Sequence, residues 1–194
     1  MILKDLLLKE NIIKIRKKDE EPFIVNEIGT KSRFFIDIKE ASLNPNILRS
    51  IVKSIIRVIE DKTDMALIDR NHPDLSIFKF DKIGCIAVGG ISIATALSLE
   101  TDIPCIIVRS GKHDRGTQSS VVGKCNNDNI ILIEDVTVTG NAVIKGINSI
   151  REAGGICDTC IVVVDREEGA EENCLKNNIR LLSVLKKSDF GMNL

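Results

Sequence analysis

Ile130-Ile131-Leu132-Ile133-Glu134-Asp135-Val136-Thr137-Val138-Thr139-Gly140-Asn141-Ala142 joins an apolar run, an acid pair and a helix start within one short stretch. Four consecutive aliphatic residues are the pattern of a strand buried on both faces of a parallel sheet. The run stops at two adjacent carboxylates. Beyond them, Thr137 to Asn141 is a turn rich in hydroxyls that leads into a helical stretch, Asn141 to Ala153. A helix N-terminus offers unpaired N–H groups and the positive end of its dipole, so this turn suits a phosphate, with Gly140 permitting close approach. Two carboxylates ahead of such a cradle would repel a phosphate they touched. They are better matched to neutral hydroxyls, of which a ribose offers two neighbours, at about 1.5 to 3 kcal/mol for each hydrogen bond to a charged group. The segment reads as a ribose 5-phosphate binder; the plainer alternative is an acid pair that caps the next helix.

Working outward, Ile83 to Val88 is a second apolar run, closed by Gly89-Gly90, and Ile103 to Val108, Cys160 to Val164 and Ile179 to Leu185 are three more. Helical stretches fall between them at Ile91 to Glu100, Asn141 to Ala153 (Ala142, Val143, Ile147 and Ile150 inward) and Ala170 to Lys176. Strands alternating with crossover helices predict the α/β class, a parallel sheet with helices on both faces. Ligands in such sheets bind at the carboxyl ends of strands, which directs attention to the residues after Val88, Val108, Ile133 and Val164. Upstream, Ile47, Leu48, Ile51, Val52, Ile55, Ile56 and Ile59 form the stripe of a helix opened by Pro45, Ile2 to Ile13 predicts an amphipathic helix, and Phe34 to Ile38 a short strand. Residues 1–45 lack the alternation and are expected to form a small hood over the mouth of the sheet, with 46–194 as the α/β core.

At 194 residues the chain suits one domain with a small accessory lobe. Lys plus Arg number 27 against 28 Asp plus Glu, and Tyr and Trp are absent. A net charge of −1 and little stacking surface disfavour nucleic acid as a partner. No apolar run approaches the roughly 18 residues of a bilayer span. The N-terminus mixes Lys4, Asp5, Lys9 and Glu10 into its apolar pattern, unlike a signal peptide, and a cytoplasmic protein is expected. The six cysteines read as reduced and structural; Cys157 and Cys160 form a C-x-x-C with no second pair or histidine at ligand spacing, a poor zinc site.

The thirteen residues from Ile130 resemble the phosphoribosyl-pyrophosphate (PRPP) motif of type I phosphoribosyltransferases. Ser32-Arg-Phe-Phe-Ile-Asp, Ala87-Val-Gly-Gly-Ile-Ser-Ile-Ala, Ser98-Leu-Glu-Thr, Val163-Val-Val-Asp-Arg-Glu-Glu-Gly and Ser188-Asp-Phe resemble, in order, landmarks of orotate phosphoribosyltransferases. The resemblance implies the type I phosphoribosyltransferase fold and the conversion of orotate and PRPP to orotidine 5′-phosphate and pyrophosphate, with Mg²⁺ carried by PRPP and no metal site of the protein's own. It implies that Glu134 and Asp135 bind ribose, that Val136 belongs to the PRPP-binding set, that Thr137, Val138, Thr139, Gly140, Asn141 and Ala142 hold the 5-phosphate, and that Val88, Gly89 and Gly90 form a pyrophosphate loop. Phe34, Phe35 and Arg166 would meet the base. Read by themselves, two Phe on a strand are core, Gly89-Gly90 is an ordinary turn, and Arg166 is an ion pair with Asp165, Glu167 or Glu168.

The resemblance further implies a homodimer that shares a basic catalytic loop across its interface. Here that loop is Val108-Arg-Ser-Gly-Lys-His-Asp-Arg-Gly-Thr. Arg109 is expected to contact PRPP, and Lys112, His113 and Arg115 to act in catalysis. The family loop reads roughly Arg-Lys-x-x-Lys-x-His-Gly; Ser110, His113 and Arg115 stand where it has lysine, lysine and histidine, and Val138 and Ala142 where many relatives carry hydroxyls. Two alternatives therefore stand beside the transferase: a relative that binds PRPP or a nucleotide as a regulator without turnover, and a phosphoribosyltransferase for another base.

Overall fold

The computed structural model describes residues 2–16, 19–24, 31–61, 79–109 and 120–191. Helix α1 (Leu3–Lys9) buries Leu3 and Leu7 and stops at Asn11, whose φ of 56° is left-handed. Ile12 N–H then returns to the Leu7 carbonyl at 3.0 Å and Asn11 N–H to that of Leu8 at 3.1 Å, a closing turn that ends the helix earlier than its apolar spacing predicts. Ile13, expected in the helix, instead opens β1 (Ile13–Ile15).

Two short ribbons follow. β2 (Phe23–Ile24) pairs antiparallel with β3 (Lys31–Ser32), and β1 pairs with β4 (Phe34–Ile36). β4 is shorter than expected because the Asp37 carboxylate accepts the Glu40 N–H at 3.0 Å and so starts α2 (Ile38–Ala41). Helix α3 (Pro45–Asp61) places Ile47, Ile51, Ile55 and Ile59 four residues apart, each at most 1% exposed. Burying each isoleucine contributes about 1.5–3 kcal/mol, which is why this stripe fastens α3 to the sheet.

The core strands are β5 (Lys82–Ile86), β6 (Cys105–Val108), β8 (Asn129–Thr137), β9 (Ile156–Asp165) and β10 (Arg180–Lys186), with β7 (Val121–Val122) as an antiparallel edge. Their spatial order is β10-β9-β8-β5-β6-β7. Helices α4 (Ile91–Thr101), α5 (Asn141–Glu152) and α6 (Ala170–Lys176) connect them. Chain order runs outward from β5 to β6, then resumes at β8 on the other side of β5. The order reverses between β5 and β8, and the crevice outside their carboxyl ends is where this topology places ligands.

One face of the sheet, through Ile83, Ile131, Ile133, Ile161 and Val163, packs on α3 and α4, with α1 against α3; the other, through Ile106, Ile130, Leu132 and Cys160, packs on α5 and α6. Leu3, Ile13, Phe34 and Ile38 share the first of these cores, so the N-terminal segment is packed into the body of the sheet rather than around a core of its own.

β8 is longer than its apolar run because β9 supplies hydrogen-bonding partners as far as Thr137 opposite Asp165. The acid pair consequently lies on the strand and not beyond it. An extra residue in β9, where Ile131 meets Thr159, turns Cys157 and Cys160 toward the same helix-covered face. Burial pushes the Cys157 and Cys85 thiols up to about 12, as suits packing groups; Cys105 alone of the six cysteines is exposed. Two further expectations are corrected. β5 ends at Ile86, leaving Val88 77% exposed in the following turn, and Ala142 is exposed because α5 turns Val143, Gly146, Ile147 and Ile150 inward.

Candidate active site

Glu134 and Asp135 are only 5% and 9% exposed, although they sit at the open end of the sheet. Glu134 Oε1 accepts the Asp135 N–H at 3.0 Å. Burial, followed by the neighbouring Asp135 side chain, raises the Glu134 carboxyl well above the ordinary carboxylate range; Lys39 on α2 acts weakly in the other direction. Across the β5–β8 crevice, Gly89 lies so near that a Cβ there would overlap the Asp135 carboxyl group. Only glycine brings the Ala87-to-Gly90 turn this close to the acid pair.

The turn after β8 is held from two sides. The Thr137 carbonyl accepts the Arg166 N–H at 3.0 Å, and the Thr139 carbonyl accepts Asn173 Nδ2 at 2.9 Å from α6. Gly140 precedes α5 with a left-handed φ of 78°, and a Cβ there would stand 3.0 Å from Cys174 Sγ and 3.1 Å from the Ala170 carbonyl oxygen. With the Thr137 and Thr139 carbonyls engaged, the turn leads into α5, whose first N–H groups have no side-chain cap, a chemistry suited to an anion. Thr137 itself is buried, Val138 is half-buried, and Thr139, Asn141 and Ala142 are exposed.

Arg166 leaves the carboxyl end of β9 and reaches back over the N-terminal ribbons. Its Nη2 is 3.0 Å from Ser32 Oγ and 3.0 Å from Glu168 Oε1, while its buried Nε has no hydrogen-bond partner among the described residues. At 14% side-chain exposure, it is more than a surface ion pair. An unsatisfied buried N–H costs about 1–3 kcal/mol, which a ligand acceptor would relieve. Phe35 is half-buried against Phe23, with ring centroids 5.8 Å apart. Phe34 differs: it is 0% exposed and packs on Phe190 at 5.8 Å, leaving no ring surface for a ligand.

Arg109 follows β6, half-buried, its N–H bonded to the Ser120 carbonyl at 2.8 Å. Lys112, His113 and Arg115, with Ser110, lie outside the described residues. Among the described residues, no group of three or more His, Cys, Asp or Glu is placed to hold a metal ion, and no helix is long and apolar enough to cross a membrane.

The phosphoribosyl transferase domain matches residues 48–185. An orotate phosphoribosyltransferase of Methanococcus maripaludis is 35% identical over 166 residues, spanning 85% of this chain and 82% of the relative; one from Methanocaldococcus jannaschii is 38% identical over 158 residues, 81% and 80% of the two chains. The chain belongs to the orotate phosphoribosyltransferase family. The crystal structure of orotate phosphoribosyltransferase from Aeropyrum pernix shares the fold at a TM-score of 0.75 and 24% identity, covering 97% of this chain and 95% of that one.

In this phosphoribosyltransferase-family chain, the crevice gathers Val88 to Gly90, Glu134, Asp135, the 136–142 turn and Arg166 at neighbouring strand ends. Sequence reading missed Ser32 as the partner of Arg166 and Asn173 as the tie on Thr139. No spacing signal reveals the first, since the two residues are 134 positions apart.

Proposed function

We propose that this chain transfers the 5-phosphoribosyl group of PRPP to orotate, releasing orotidine 5′-phosphate and pyrophosphate. The observation that carries the reading is the pair of buried carboxyl groups at the end of β8, set between the Gly89 turn and the N-terminus of α5. Glu134 and Asp135 accept hydrogen bonds from the ribose hydroxyls. Thr137 to Ala142, chiefly through backbone N–H groups, hold the 5-phosphate. Val88, Gly89 and Gly90 leave room for the diphosphate beside Asp135.

Orotate lies toward Phe35 and Arg166, whose unpaired Nε meets an acceptor on the carboxylated ring. Within residues 1–45, the ribbons that carry Ser32 and Phe35 serve as a hood on this side, beside the 46–194 core with which the segment shares its packing. Displacement at the anomeric carbon passes through an oxocarbenium-like state as diphosphate departs, so fixed positive groups must take up the charge of the leaving group. Arg109 approaches from the end of β6, and Lys112, His113 and Arg115 serve the partner's site in a homodimer.

The donor set suits a Mg²⁺ that arrives on PRPP, because such an ion is commonly held by one or two carboxylates together with substrate phosphates. Glu134 and Asp135 would be its protein contacts, and the ion would neutralise charge on the departing diphosphate.

Incubation with orotate, PRPP and Mg²⁺, following orotate consumption, tests the reading. Consumption by the wild type and its loss in an E134A/D135A double variant are expected. Tight PRPP binding with no product would instead return the chain to the regulator class.

A further inference from the structure

Around Arg166 the chain closes a ring of contacts that the reaction above does not require. Glu167 is its centre. The residue holds a left-handed φ of 56°, strained for a side chain with a Cβ. Its N–H is bonded to Asp165 Oδ1 at 2.8 Å, and its carboxylate accepts both the Ser188 N–H at 2.6 Å and the Ser188 hydroxyl at 3.0 Å. Ser188 belongs to a 3₁₀ turn, Lys187–Phe190, that follows β10. The last residue of that turn, Phe190, packs on Phe34 of β4, and Ser32, two residues before Phe34, holds the Arg166 guanidinium. The Ser32 hydroxyl in turn bonds the backbone of Phe34, donating to its carbonyl at 2.8 Å and accepting its N–H at 3.1 Å. The path therefore runs from Arg166 to Ser32, Phe34, Phe190, Ser188 and Glu167, and returns to Arg166 through one peptide bond.

A guanidinium on a flexible stem loses less entropy on binding when its direction is already fixed. Here the backbone that launches Arg166 is clamped by Glu167, and its head is clamped by Ser32. We propose that Glu167 is a positioning residue for base recognition: through Ser188 it locks the C-terminal 3₁₀ turn and the N-terminal ribbon around Arg166, and so sets the affinity for the base without touching it. This rests on the assignment of Arg166 to orotate.

The test is steady-state kinetics of the full chain with orotate and PRPP varied separately. Glu167→Ala raises KM for orotate by about 10-fold, the scale of losing hydrogen bonds to a charged group, and leaves KM for PRPP within about 2-fold. Glu167→Gln restores most of the loss, because its amide can accept the Ser188 N–H and donate to the Ser188 hydroxyl. Ser188→Ala shifts KM for orotate in the same direction by less, and takes the place of Glu167→Ala should that variant not fold. Equal rises in both KM values, or no rise in either, would overturn the proposal. A wild-type chain that consumes no orotate would overturn the functional reading itself, which separates the two failures.

Discussion

Asp135 fills with its carboxyl group the space that a Cβ on Gly89 would need. Gly89→Ala must therefore push the acid away from the turn or move the turn off the sheet, and overpacking of this kind costs about 1–3 kcal/mol. If the crevice holds the ribose and diphosphate of PRPP, that cost appears as weaker PRPP binding. Calorimetric titration with Mg²⁺-PRPP should show an affinity loss of about 10-fold, near 1.4 kcal/mol, in the variant.

The raised Glu134 carboxyl has a definite sign in stability. The folded chain keeps a proton that the unfolded chain releases near the ordinary value of 4.5, so stability falls as pH rises from there through the raised value. Glu134→Gln removes this slope. Its melting temperature relative to wild type should be higher at pH 8 than at pH 5, by at least about 2–4 °C for each kcal/mol relieved in a chain of this size. Melts at the two pH values measure it directly; parallel shifts would show that Glu134 ionises freely.

Ser32→Ala removes the hydroxyl that holds Arg166 from the ribbon side, 3.0 Å away. Glu168 remains, so the guanidinium keeps one partner but loses its direction. KM for orotate should rise by about 10-fold and KM for PRPP should stay unchanged, since a hydrogen bond to a charged group is worth about 1.5–3 kcal/mol.

Gly140→Ala combines a left-handed backbone with a Cβ 3.0 Å from Cys174 Sγ. The backbone preference alone costs about 1–2 kcal/mol. Because Gly140 shapes the turn that starts α5, inorganic phosphate and ribose 5-phosphate should both bind more weakly, and inhibition by each would measure the effect.

What was legible in the sequence was local. Ile130 to Ile133 announces a buried strand, the isoleucines of α3 announce their face, and Gly140 beside hydroxyls announces the turn that starts α5, because each signal lies within one or two turns of chain. The family resemblance and the α/β class rest on such segments. Element ends were less legible because partners elsewhere set them. β8 extends through Asp135 only because β9 is there to pair with it, and α1 stops at Asn11 through a backbone turn that apolar spacing does not encode. Ala142 was expected inward and is exposed, since the helix phase is fixed by Val143, Ile147 and Ile150. Phe34 and Phe35 look equivalent in sequence, yet strand alternation sends the first wholly into the core. The Arg166–Ser32 contact joins residues brought together only by the finished fold.

On the proposed function, the acid pair reads the vicinal hydroxyls of a ribose whose phosphate sits in the Gly140 turn. Competition by ribose 5-phosphate and by 2-deoxyribose 5-phosphate against PRPP separates the contribution of those hydroxyls from that of the phosphate. The deoxy sugar should inhibit the wild type at least about 10-fold less well, the value of one hydrogen bond to a carboxylate, and the gap should close in E134A/D135A. Equal inhibition of the wild type by the two sugars would contradict the assignment.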